Sequence, residues 1–227
     1  MRVSNTVLTD PELHIDGSEW SGFDLSWYFA KDGFNDKEVE QIKELKDSYS
    51  FKRGVTVGED STSTKAEVRE SEVFWVNQNK QSDWIYNRIS WHINKANHNK
   101  WKFNIDSMEQ IQYTKYKGSD VLEIEDKVGI RSHRDAKKQA GHYNWHTDTR
   151  SGSIGKCRKI STVVQLSDAK EYEGGDFLTW DHKGEIYHGK GKGSIIIFPS
   201  FNLHKVLPIT SGIRESLVVW CHGPLFQ

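Results

Sequence analysis

Apolar positions recur at three- and four-residue spacings in two stretches of the first half of the chain and at alternate positions through much of the second half. Val39, Ile42, Leu45 and Tyr49, with charges between them and Asn35-Asp36 just before, predict an amphipathic helix with a ready N-cap and one face for packing on a sheet. Trp84, Ile85, Ile89, His92 and Ile93 form a second stripe and predict a helix over about residues 82–96, in which His92 reads as a core or boundary histidine. Between the two, EDSTSTKAEVRESE from Glu59 to Glu72 is too polar to enter a core and reads as a surface loop.

The period changes near Met108. MEQIQYTKY alternates as a strand does, and a polar stretch from Lys117 to Gly141 then reads as a second loop, with a basic cluster, RSHRDAKK, at Arg131 to Lys138. After it come KISTVVQL, GGDFLTW, GSIIIFP and RESLVVW, short strand-like runs separated by Gly, Asp and Pro. No βαβ alternation is visible. The pattern predicts an α+β protein with a sandwich or jelly-roll core and the N-terminal helices packed on one sheet. The economical organisation is a single domain over 1–227, with helical and loop support in 1–107 and the β-core in 108–227.

Composition narrows the classes. The 227 residues are enough for one sizeable domain, and 31 Lys+Arg against 32 Asp+Glu leave no overall field to draw the chain to nucleic acid or anionic lipid. No apolar run reaches the roughly 18 residues of a membrane span. The first twenty residues carry Asp10, Glu12, Asp16 and Glu19 where a signal peptide would be apolar, so the expectation is a soluble, cytoplasmic protein. Two cysteines, Cys157 and Cys221, without a CxxC, exclude a disulfide scaffold and a thiolate zinc finger, which leaves His and carboxylate to hold any metal. Nine Trp, eight Tyr and ten Phe read mainly as core filling.

Candidate chemistry centres on His146-Thr147-Asp148. In a strand, residues two apart face the same side, so an imidazole nitrogen and a carboxylate oxygen can meet at one metal ion. His204, after FPSFNL at the end of a later strand, supplies a third ligand and leaves the opposite face open, the two-His-one-carboxylate set suited to non-haem Fe(II). Strand alternation puts Arg214, Ser216, Val218 and Trp220 on one face, where a buried guanidinium calls for an anion and a dicarboxylate would supply it. Glu173-Gly174-Gly175-Asp176 reads as a tight turn. Gly189 to Gly193 reads as a hairpin turn, because a strand and no helix follows it. His142 and His188 are candidates for the rim of the site, and Cys221 for buried filler.

HYNWHTDT, VVQLSDAKEYEGGDF and GSIIIFPSFNLHKVLPITSGIRESLVVWCHGP together resemble the Fe(II)/2-oxoglutarate-dependent dioxygenases of the prolyl 4-hydroxylase type, closest to the bacterial and phage prolyl/lysyl hydroxylase-like branch, over about Gln110 to Pro224. The resemblance implies a cupin-like double-stranded β-helix with Fe(II) on His146, Asp148 and His204, and 2-oxoglutarate bound through Arg214 and Ser216. It places Tyr116, Gln165 and Trp220 along the co-substrate pocket and Tyr143 toward a peptide substrate. The implied activity consumes O2 and 2-oxoglutarate, with ascorbate as a candidate reductant, and hydroxylates a prolyl residue of a protein or peptide. Long loops at Glu59 to Glu72 and Lys117 to Gly141 favour such a macromolecular substrate over a free amino acid or small metabolite. A jelly-roll binding module without chemistry and a zinc hydrolase are the other readings. The first would release no succinate, and the second lacks a glutamate base at a recognisable spacing.

Overall fold

The computed structural model describes residues 26–54, 68–128, 140–149 and 156–225. The larger part of the polar loop at 59–72 and the basic cluster at Arg131 to Lys138 lie outside them. The elements run β1 (Tyr28–Ala30), α1 (Asp36–Glu44), β2 (Lys52–Arg53), β3 (Arg69–Glu70), β4 (Glu72–Val76), α2 (Asp83–Ala96), β5 (Ser107–Met108), β6 (Ile111–Lys117) and α3 (Ser119–Lys127). There follow β7 (His142–His146), β8 (Lys156–Gln165), β9 (Tyr172–Gly174), β10 (Phe177–Asp181), β11 (Gly184–His188), β12 (Ile195–Pro199), β13 (His204–Val206) and β14 (Ile209–Pro224). The larger sheet has the order β1-β12-β8-β14-β6-β4-β2, with β5 and β9 also paired to β14. A smaller sheet, β11-β10-β13-β7-β3, faces it, and all pairings are antiparallel.

Two apolar layers hold this jelly roll together. Ile195 and Ile197 of β12, Ile160 and Val164 of β8, and Leu217, Val219 and Cys221 of β14 point outward onto α1 and α2 through Val39, Ile42, Ile85, Ile89 and Ile93. Ile196, Phe198 and Val163 point the other way, onto Phe177, Val206 and Tyr172 between the sheets. That is why the β12 segment reads IIIFP without alternation: both of its faces are covered. The first helix starts as its sequence predicts, with a reciprocal capping box between Asn35 and Glu38. His92 is buried at 7 % exposure, with Nδ1 3.4 Å from the Tyr28 hydroxyl.

Four expectations need correction. Residues 1–107 are not only helix and loop, because β1 to β4 complete the edges of both sheets. These strands have two to five residues, too few for alternation to show. The polar stretch after Lys117 contains α3, held by Lys117 on Glu125 at 2.6 Å and by Asp120, which accepts from Ser211 Oγ at 2.9 Å and from the Gly212 N–H. The Gly189 to Gly193 segment joins β11 in the small sheet to β12 in the large one and is therefore a crossover, not a hairpin. Gly193 has φ +77° with its hydrogen side against the Phe34 carbonyl, a place with no room for a Cβ. Finally, neither His142 nor His188 lines the central cavity; His188 Nε2 instead bonds Thr179 Oγ1 at 2.9 Å.

Candidate metal centre and active site

The two strands that carry the metal-ligand candidates are neighbours in the small sheet, where His146 of β7 pairs directly with His204 of β13. Asp148 lies beyond the end of β7, not within it, so strand alternation does not aim its carboxylate. The loop does so through backbone bonds from Asp148 and Thr149 N–H to the Ser200 carbonyl, at 2.9 and 3.0 Å. His204 likewise opens a strand, after a turn at the end of β12, and does not close one. The result is one cluster: His204 Nε2 is 3.3 Å and His146 Nε2 3.8 Å from the Asp148 carboxylate, and the three ligand atoms lie within 4.8 Å of one another.

The surrounding contacts set the state of each ligand. His146 Nδ1 sits 2.7 Å from the Asn144 carbonyl and His204 Nδ1 3.0 Å from that of Asn202, so each ring's N–H is engaged at Nδ1 and Nε2 presents its lone pair. Burial, with His204 adding to it, pushes the His146 imidazole down to about 3, which keeps the ring neutral as a metal ligand requires. Asp148 is 6 % exposed; burial opposes its charge, yet the neighbouring imidazoles hold its carboxyl well below the usual range. Ser161 Oγ donates to Asp148 Oδ2 at 2.7 Å and is itself 2.9 Å from Ser200 Oγ. Among the described residues, no lysine or arginine pairs with this buried carboxylate. A divalent cation is the partner that this donor set of two imidazole nitrogens and one carboxylate fits.

A cavity opens beside the cluster. Its wall includes Tyr116, Tyr143, Arg214, Ser216, Val218 and Trp220, so the alternation read for β14 holds. Arg214 is 2 % exposed, its guanidinium carbon lies 5.7 Å from the Tyr116 ring centroid, and among the described residues no carboxylate lies within 4 Å of it. Tyr143 stacks on His146 at 3.4 Å between centroids, which puts it directly against a metal ligand. Trp220 brings a buried indole N–H without a hydrogen-bond partner among the described residues. Gln165 does not line the cavity: at the end of β8 its amide turns to the Ser167 carbonyl and the Tyr172 hydroxyl, at 3.1 and 2.9 Å. Tyr172 is in turn a neighbour of Arg214, and Gly175 leaves the space in which the two meet. Sequence reasoning missed Arg69, Gln112 and Ser161. Arg69 sits in a two-residue strand inside a polar run, and Ser161 in a strand whose apolar neighbours dominate the pattern.

Comparison with known proteins fits this geometry. The sequence model of the 2OG-Fe(II) oxygenase superfamily matches residues 130–222. A PKHD-type hydroxylase of Shewanella oneidensis is 37 % identical over 81 residues, 34 % of this chain and 36 % of that protein. One from Synechococcus sp. is 42 % identical over 84 residues, 37 % of each. The chain thus spans little more than a third of the length of the curated relatives it matches. The fold extends further. A Pseudomonas putida prolyl-4-hydroxylase superposes with TM-score 0.60 at 16 % identity, over 86 % of this chain and 91 % of that one. A Trichoplax adhaerens prolyl hydroxylase, solved with a hypoxia inducible factor peptide fragment, gives 0.64 at 15 % identity over 87 % and 84 %. The stretch that matches the 2OG-Fe(II) oxygenase model contains all three ligand candidates and Arg214, and the chain shares the fold of the prolyl 4-hydroxylases.

Proposed function

We propose that this protein is an Fe(II)- and 2-oxoglutarate-dependent dioxygenase that hydroxylates a prolyl residue in a protein or peptide. The observation that carries the reading is the convergence of His146, Asp148 and His204 beside a buried Arg214 that has no carboxylate partner among the described residues. Iron with 2-oxoglutarate and O2 would supply the oxidation of a C–H bond, yielding succinate and CO2, with ascorbate as reductant. The chain's own residues do the rest. His146, Asp148 and His204 hold one side of the metal and leave the other for ligands. Arg214, with Ser216 on the same face of β14, takes the distal carboxylate of the co-substrate through its planar fork. Tyr116 shields that ion pair, while Val163, Phe177, Val206 and Val218 keep the wall apolar and exclude water.

Macromolecular substrates are favoured because the fold is shared with prolyl hydroxylases, one of them solved with a peptide. A zinc hydrolase is disfavoured because, among the described residues, no glutamate lines the cavity to serve as a general base. The test is 2-oxoglutarate turnover to succinate with Fe(II) and ascorbate, together with a search by mass spectrometry for a +16 shift on proline-containing peptides. His146→Ala and Asp148→Ala should each abolish succinate release. Full turnover in both variants would remove the metal assignment, and oxidation of a free metabolite with no shift on any peptide would remove the peptide substrate.

A further inference from the structure

Arg69 is a second buried guanidinium in the same cavity. It comes from the opposite sheet to Arg214, on β3, where it pairs with Tyr143 of β7. Only 8 % of it is exposed. Its Nε donates to Ser71 Oγ at 2.7 Å and one terminal nitrogen donates to Gln112 Oε1 at 3.0 Å, both of them neutral acceptors. The guanidinium carbon lies 4.8 Å from the Tyr143 ring centroid, and Tyr143 stacks on His146, so this charge sits one ring away from a metal ligand. Among the described residues no carboxylate lies within 4 Å of it.

Charge counting shows what is missing. A divalent cation against Asp148 leaves one positive charge, Arg214 adds a second, and a dicarboxylate co-substrate cancels both. Among the charges of the described residues, Arg69 is then left over, in a cavity walled in part by Val163, Phe177, Val206 and Val218. A desolvated guanidinium in such surroundings needs an anion, and its remaining N–H groups form a fork suited to a carboxylate. We propose that Arg69 binds a carboxylate of the prime substrate and so selects substrates with an acidic group close to the C–H bond that is attacked. This rests on the dioxygenase reading above and adds to it a substrate class. The carboxylate has two sources: an Asp or Glu side chain near the target residue, or the main-chain terminus of a peptide or free amino acid.

The test uses the full chain loaded with Fe(II) and 2-oxoglutarate without O2, so that binding is read apart from turnover. Calorimetric titration compares four ligands: an amidated peptide with Glu beside proline, the same peptide with Gln, a Gln peptide ending in proline with a free carboxylate, and free proline. Wild type is expected to bind at least one carboxylate ligand tenfold or more tighter than the neutral amidated peptide, and the tighter of the first and third identifies the source. In Arg69→Gln the preference should shrink below threefold, while 2-oxoglutarate affinity moves less than threefold; Arg69→Lys should restore part of it. Equal binding of the neutral peptide by wild type, a preference that survives in Arg69→Gln, or no binding of any carboxylate ligand overturns the proposal. A tenfold loss of 2-oxoglutarate affinity in Arg69→Gln also overturns it, by assigning Arg69 to the co-substrate. The wild-type comparison decides even if the variants fail to fold. Absence of succinate when O2 is admitted would sink the dioxygenase reading while leaving the binding result to stand on its own.

Discussion

Ser161→Ala removes one oxygen atom that is fully buried and touches neither metal nor substrate. Its hydroxyl donates to Asp148 Oδ2 at 2.7 Å and links that carboxylate to Ser200. A hydrogen bond to a charged, buried acceptor contributes about 1.5–3 kcal/mol, and alanine removes it. In the metal-free protein the loss falls on folding, since Asp148 has no lysine or arginine partner among the described residues. For a chain of this size the melting temperature should fall by about 3–12 °C. In the metal-bound protein the same loss frees the carboxylate to rotate, and Fe(II) affinity should drop by about 10- to 100-fold, as with other partners of metal ligands. Differential scanning calorimetry of the metal-free variant and an anaerobic Fe(II) titration read the two effects separately. An unchanged melting temperature together with unchanged affinity would refute the idea that the Ser161–Asp148 bond orients the ligand.

Arg214→Gln should raise the KM for 2-oxoglutarate by at least about 30-fold, since truncating one side of a buried charge pair costs about 2–5 kcal/mol, and steady-state kinetics of succinate release check it. Burial, with Arg88 and Lys95 adding to it, pushes His92 down to about 4, so the folded protein holds it neutral. Its contribution is complete above pH 6.5 and is lost as pH falls toward 4, a loss of roughly 3 kcal/mol in that window. The urea midpoint of wild type should therefore fall relative to that of His92→Phe on acidification from pH 6.5 to 4, and parallel pH profiles would refute the assignment. Gly193→Ala places a methyl 1.9 Å from the Phe34 carbonyl oxygen at φ +77° and should destabilise the fold by at least about 2 kcal/mol, read as a lower urea midpoint.

The site was legible where local order carries it. The HxD spacing, the late histidine and the alternation of RESLVVW are short-range patterns, and the cavity does collect His146, Asp148, His204, Arg214, Ser216, Tyr116, Trp220 and Tyr143. What was not legible depends on pairing between distant segments. Asp148 is aimed by the Ser200 carbonyl and by Ser161, which no dipeptide pattern reveals. Arg69 reaches the cavity because β3 pairs with β7, and two residues in a polar run give no period to read. Gln165 shares a strand face with Val163, but it ends β8 and folds its amide back on Ser167. In α3 the stretch SDVLEIEDK has too few apolar positions to announce a helix, and contacts with Lys117 and with the turn at Ser211–Gly212 hold it in place.

The sixteen residues of β14 pair with β5, β6, β8 and β9, while the histidine-bearing strands β7 and β13 have five and three. Amide protons around Arg214 and Ser216 should therefore exchange only when the whole protein opens, whereas those around His146 and His204 can exchange through partial opening of the small sheet. On the dioxygenase reading, iron would then enter and leave without dismantling the grip on 2-oxoglutarate, so a molecule that has lost its metal would keep its co-substrate pocket assembled and ready to be reloaded.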